Sequence, residues 1–173
     1  GLPPYFVVDD ASRLQRIATQ LEWDIPVAEI ENPEDAVDTF SNALPVVPLE
    51  VPSVVVPGCP QAETSAAVVS SIERAVGYVI GGQAAAIVTN PIQKKALYDC
   101  GFQYPGHTEF LATFADGDAQ PVMMLACEQL RVVPVTVHQP LREAIDSLRS
   151  ESIVETVQAT VRALRQDFAI DRP

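Results

Sequence analysis

The chain has 173 residues and a formal net charge of −12, from 23 acids against 11 bases, with 47% hydrophobic and 20% charged residues. That length supports one domain with a core of its own, and the composition excludes a disordered or coiled-coil chain. The charge argues against nucleic acid as a partner, because Lys94-Lys95 is the only adjacent basic pair, and no apolar run approaches the ~20 residues of a membrane span.

Tyr5 to Val8 reads as a strand, followed by Asp9-Asp10 as cap candidates and by Leu14, Ile17, Ala18 and Leu21 at helical spacing. Pro26 to Ile30 is a second short strand. Asn32-Pro33-Glu34 then repeats the pairing of cap and first-turn proline, ahead of a helix carrying Ala36, Val37 and Phe40. Leu44 to Gly58 holds Pro45, Pro48, Pro52 and Pro57, so strands there are expected to be short or at a sheet edge, and the segment reads as an edge excursion. A long helix follows, with Ala66, Val69, Ile72, Val76 and Val79 on one side and Gly81-Gly82 as its stop.

Ala84 to Thr89 is an apolar run of strand length, and Asn90-Pro91 supplies the cap and first-turn proline of a short helix ending at Gly101. Tyr104-Pro105-Gly106 turns the chain, and His107-Thr108-Glu109 opens a helical segment through Phe114. Asp116-Gly117-Asp118 signals a turn before strands at Val122 to Ala126 and Val132 to Val137. Pro140-Leu141 opens a helix through Leu148, and a last helix carries Ile153, Val157, Val161, Leu164 and Phe168, with Ser152 and Glu155 at capping-box spacing. Alternating strands and helices mean an α/β protein with a mainly parallel sheet. Cys59, Cys100 and Cys127 fit neither a disulfide framework nor a zinc motif, so buried reduced thiols and a cytoplasmic location are expected.

In open α/β sheets, ligands bind where strand ends lead into helix starts. Thr89 lies at one such junction, and the only two histidines, His107 and His138, fall at others. A histidine there can orient a substrate oxygen, move a proton or bind a divalent metal, or it can simply cap or pack. Thr108 reads as an N-cap that could also hold an anion, and Glu109 as a first-turn acid favoured by the helix dipole. Lys94 opposes that dipole in its own helix, which leaves a ligand-facing role open beside a solvated one. No glycine-rich nucleotide loop of either standard type is present.

Pro57 to Glu63 (PGCPQAE), Thr89 to Lys94 (TNPIQK), Gly101 to Ala112 (GF-x-YPGHTEFLA) and Met123 to Ala144, which contains H-x-PLR, resemble one family. It is that of the 4-hydroxythreonine-4-phosphate dehydrogenases of pyridoxal phosphate (vitamin B6) biosynthesis and their relatives. The resemblance implies a two-domain α/β/α sandwich like the isocitrate and isopropylmalate dehydrogenases, working as a homodimer with its site in the interdomain cleft. It implies oxidation of 4-phosphohydroxy-L-threonine by NAD, assisted by Zn, Mg or Co, and then decarboxylation. A metal in such a site eases deprotonation of the secondary hydroxyl and stabilises the enolate left when carbon dioxide departs.

By the same resemblance His107 and Thr108 contact substrate, His138 is a metal ligand, and Lys94 is a catalytic, proton-handling candidate. No NAD-contacting residue is assigned. Members of the family are about twice this long, with a Gly-Asp-Pro-Ala-Gly segment, further metal histidines and phosphate-binding Lys, Asn and Arg groups that this chain lacks. The chain is therefore expected to be one α/β unit over residues 1–173, an internal fragment that binds metal weakly and does not turn over alone. The alternatives are a dehydrogenase of phosphorylated threonate or erythronate or of a dihydrodiol, and a non-catalytic dimerisation or ligand-binding module.

Overall fold

The structure is a computed structural model and describes residues 2–51, 55, 56, 58, 59, 61–115 and 121–173. The expected Asp116-Gly117-Asp118 turn lies outside these residues. The chain divides into two compact units, Gly1–Gly106 and His107–Pro173.

The first unit is built on a parallel sheet of β1 (Val7–Asp9), β2 (Val27–Glu29) and β3 (Leu44–Pro48), in the order β1-β3-β2. β1 passes into α1 (Ala11–Gln20) through Asp10, whose carboxylate caps the helix by accepting from the Arg13 N–H. Between β2 and β3, a single 3₁₀ turn at Pro33–Asp35 runs into α2 (Ala36–Thr39), and Asn32 and Asp35 satisfy each other's backbone groups in a capping box. These elements match the pattern of strand, cap and apolar spacing.

β3 departs from expectation. Its prolines mark it for an edge, yet it is the central strand, with Val46 wholly buried and Val47 2% exposed. The hydrogen-bond alternation of a parallel strand explains this. Leu44 donates to Pro26 O and Val46 accepts from Ile30 N, so Leu44, Val46 and Pro48 turn toward β2 and Pro45 and Val47 toward β1. The register sets Val7 opposite Val46 and Glu29 opposite Val46. Pro45 therefore lacks its N–H where β1 has not begun, and Pro48 lacks its own where β2 has ended.

Val47 packs with Ile30 and Ala36 in a core extended by Phe6 and Tyr78. The Phe6 and Tyr78 rings meet edge to face at 5.5 Å. Tyr78 belongs to α3 (Ser65–Ile80), which follows a 3₁₀ turn at Ala62–Thr64 and stops at Gly81, with Gly82 at φ 72°. Only a residue without a Cβ takes that left-handed conformation without strain. Arg74 of α3 donates to Pro48 O at 2.6 Å and to the Tyr78 hydroxyl at 3.2 Å, fixing the helix to the end of β3.

Ala84 to Thr89 does not form the expected strand. The run is strand-like in composition, but it pairs with none of the three strands of its unit, and a strand exists only where its backbone groups find a neighbouring ladder. Val88 is left 98% exposed. The helix expected from Asn90-Pro91 starts later, as α4 (Lys94–Asp99), because the Gln93 side chain accepts from Ala96 N at 2.6 Å and takes the capping role. It ends as expected, with Gly101 at φ 91°.

The second unit opens with α5 (His107–Ala112), whose Phe110 is buried and stacks edge to face on Phe114 at 5.1 Å. The two strands expected next are sequential neighbours, but they shorten to β4 (Leu125–Ala126) and β5 (Arg131–Val132) and pair antiparallel. A four-residue connection closed by Cys127 N to Leu130 O permits only a hairpin. The register of Leu125 with Val132 brings Met123 opposite Pro134 two rungs on, and proline cannot donate to the ladder. α6 (Leu141–Ser147) and α7 (Ser150–Gln166) follow. α7 starts two residues before the expected capping box, with Arg149 at its N-cap position, so Ser152 and Glu155 lie within the helix. Arg131 sits 5.7 Å from the Phe168 ring centroid, a cation–π contact.

All three cysteines are free and exposed, against the expectation of burial. Cys100 follows α4 with its thiol donating to Ala62 O at 3.3 Å, and Cys59 and Cys127 lie in turns. No helix among the described residues is long and apolar enough to cross a membrane.

Candidate functional site

The structure sorts the candidate residues by unit. In the first, Lys94 is the opening residue of α4 and is exposed. Buried Leu97 anchors that helix, Ser65 donates to Ala96 O at 3.2 Å, and the Cys100 contact with Ala62 holds its far end against the start of α3. Lys94 thus stands on a fixed support, with its side chain open to solvent. Lys95 instead forms an exposed ion pair with Asp99 at 2.9 Å, and the carboxylate's hydrogen bond and charge raise its pKa. Thr89 and Asn90 are exposed and follow no strand, so the strand-end argument does not hold for them.

In the second unit, His107 and Thr108 sit side by side in the first turn of α5 rather than in a loop before it. Thr108 is exposed and His107 half-buried. The His107 Nε2 atom is shut off from solvent and has no hydrogen-bond partner among the described residues. Glu109, read from sequence only as a dipole-favoured acid, shares that state at Oε2. Buried polar atoms without partners are rare and costly, about 1–3 kcal/mol each. Sequence gave no signal for this property of Glu109, since burial of one carboxylate oxygen depends on what packs over it.

His138 is exposed, lies between β5 and α6, and has φ 56°. It does not close a strand as expected, because β5 ends at Val132. A left-handed backbone at a non-glycine residue is held against a cost of roughly 1–2 kcal/mol, and such conformations gather at functional positions. The residues present do not by themselves make a metal centre: among the described residues no group of three His, Cys, Asp or Glu side chains is placed to hold an ion. His138 offers one imidazole and no second ligand accompanies it.

Comparison with known proteins fits the same residues into a family. The profile described as "Pyridoxal phosphate biosynthetic protein PdxA" matches residues 2–173. A protein of Methylorubrum populi named 4-hydroxythreonine-4-phosphate dehydrogenase is 44% identical, over 100% of this chain and 51% of its own length. One of the same name from Xanthobacter autotrophicus is 41% identical, over 100% and 50%. Among solved structures, the 4-hydroxythreonine-4-phosphate dehydrogenase from Burkholderia phymatum superposes with a TM-score of 0.84 at 31% identity, covering 97% of this chain and 50% of that one. The Klebsiella pneumoniae enzyme of that name gives 0.80 at 30%, covering 96% and 52%. The chain spans about half the length of the curated relatives it matches. With the profile matched from residue 2 to residue 173, across GHTEF and H-x-PLR alike, the chain belongs to the PdxA family.

Proposed function

We propose that this chain carries the substrate-orienting part of an NAD-dependent, metal-assisted dehydrogenase that oxidises 4-phosphohydroxy-L-threonine at its secondary hydroxyl, with decarboxylation following. The observation that carries this reading is the family match over residues 2–173, together with a half-buried histidine in the GHTEF segment whose Nε2 has no partner among the described residues. An imidazole nitrogen held out of water without a partner is suited to take one from a ligand. His107 orients the substrate, the exposed Thr108 hydroxyl adds a second polar contact, and Lys94 handles a proton at its ammonium.

His138 is proposed as one metal ligand among several, the others belonging to sequence outside this chain. When bound, a divalent ion supplies Lewis acidity toward the substrate oxygen. The proposed assembly is a cytoplasmic homodimer, and the proposed partner is a small phosphorylated hydroxy acid. A relative acting on phosphorylated threonate or erythronate would share these motifs.

The test joins this chain to the remaining half of the Methylorubrum populi relative and follows NADH formation with 4-phosphohydroxy-L-threonine, 4-phosphoerythronate and a dihydrodiol. NADH with the first substrate, and its loss in His107→Ala and in His138→Ala, is the expected result. Turnover by residues 1–173 alone, or an undiminished rate in His138→Ala, refutes the assignment.

A further inference from the structure

The last two helices of the second unit leave their apolar sides uncovered. None of the described residues of α6 is buried, and Leu141 and Ile145, one turn apart, are 78% and 69% exposed. Thr156 is the only described residue that α7 buries. Helical spacing divides α7 into three faces. Glu151, Glu155, Arg162 and Arg165 share a charged face and are all exposed. Ser152, Thr156, Ala159 and Ala163 share the side that is most withdrawn from water. The apolar ridge through Val161 and Leu164 begins at Ile153 and Val157, and both of these are exposed. The helix therefore buries its small, partly polar side and shows water its apolar one, the reverse of a helix seated on a finished core.

We infer that the apolar ridge of α7, with the exposed apolar side of α6, is the seat of a β-sheet supplied by the half of its relatives' length that this chain does not match. The inference rests on membership of the family and not on the proposed chemistry. An apolar stripe of this kind must be covered, and in an α/β fold the cover is a sheet. α7 has 17 residues, and at 1.5 Å per residue it is about 25 Å long. A strand matching that length has about seven or eight residues at 3.3 Å each. β4 and β5 have two residues each, all four exposed, and among the described residues no third strand pairs with them. A two-stranded hairpin is marginal alone and gains stability from added strands and a packed helix. One added sheet meets both needs.

The relatives hold enough chain to supply it, since this one spans about half of their length. A segment of the same polypeptide meets the ridge at an effective concentration that a separate copy does not reach. A second copy docked helix to helix would cover α7 and still leave β4 and β5 without a third strand.

The experiment compares residues 1–173 alone with the same chain joined to the unmatched half of the Methylorubrum populi relative, by amide hydrogen exchange in α6 and α7 and by sedimentation. Exchange in α7 is expected to slow by about a hundredfold or more on joining. Val157→Asp, at a residue 52% exposed, is expected to leave the thermal midpoint of residues 1–173 unchanged. In the joined protein it is expected to lower the midpoint by about 5 °C or more, because the carboxylate is carried into an apolar layer. Gln158→Asp, on the exposed polar side of the helix, is expected to change neither. Unchanged exchange in α7 on joining, or a joined protein indifferent to Val157→Asp, overturns the inference. So does self-association of residues 1–173 that Val157→Asp abolishes while joining adds no protection, which assigns the ridge to a second copy. Protection on joining without turnover upholds this surface and counts against the proposed chemistry alone.

Discussion

Removing the Asp10 carboxylate tests whether the strand-to-helix junction at the head of the sheet is held by side-chain capping. Asp10 Oδ1 accepts from Arg13 N at 2.9 Å and from the Ser12 hydroxyl at 2.6 Å, while its own carbonyl starts the helix ladder by accepting from Leu14 N at 3.1 Å. Arg13 pairs with Asp9 instead, so its ion pair survives the substitution. Asp10→Ala then loses the cap and the exposed Ser12 contact; the cap costs about 1 kcal/mol, or about 2–4 °C in a chain of this size. Asp10→Asn keeps an acceptor in place and costs a few tenths of that. The assay is denaturant unfolding followed by the fluorescence of Trp23, the single tryptophan, whose backbone N–H donates to Ala18 O near the end of α1. The Ser12 hydroxyl, and then the Arg13 N–H, lower the Asp10 pKa below its ordinary 3.8. A lowered folded-state pKa makes the carboxylate's contribution complete above 3.8 and lost as pH falls through the folded value. The gap between the native chain and Asp10→Ala should therefore hold at neutral pH and narrow below 3.8. Equal stability of the native chain and Asp10→Ala at neutral pH, or a gap that widens in acid, refutes the capping argument.

Two further substitutions probe the sheet and the candidate ligand loop. Val46→Ala removes two methyl groups from a side chain with 0% exposure in the central strand, and should cost about 2–3 kcal/mol in the same unfolding assay. His138 has φ 56°, so His138→Gly should be more stable than His138→Ala by about 1 kcal/mol in urea unfolding. Equal midpoints for that pair would mean that the loop does not hold residue 138 in the left-handed region.

Much of the first unit was legible because its signals are local. Asp10 at a strand end, Asn32-Pro33, and Gly81-Gly82 after a one-sided apolar helix each act on backbone groups within a few residues. The motifs around His107, Thr108 and His138 were equally legible, and the family match covers them. Three features were not. β3 became central because its neighbours end where its prolines would have broken the ladder, a matter of register between distant segments. Ala84 to Thr89 has the composition of a strand but pairs with no strand of its unit. Glu109 looked like any first-turn acid until packing took one of its oxygens out of water.

The sequence by itself determined the kinds of element, their caps and stops, and the segments that carry polar chemistry, since these follow from interactions within a turn or two of chain. Only the tertiary structure decided which strand lies at the centre, which apolar run stays unpaired and which polar atoms lose water without gaining a partner. Those outcomes depend on residues far apart in sequence meeting in one place, and no local pattern encodes that meeting.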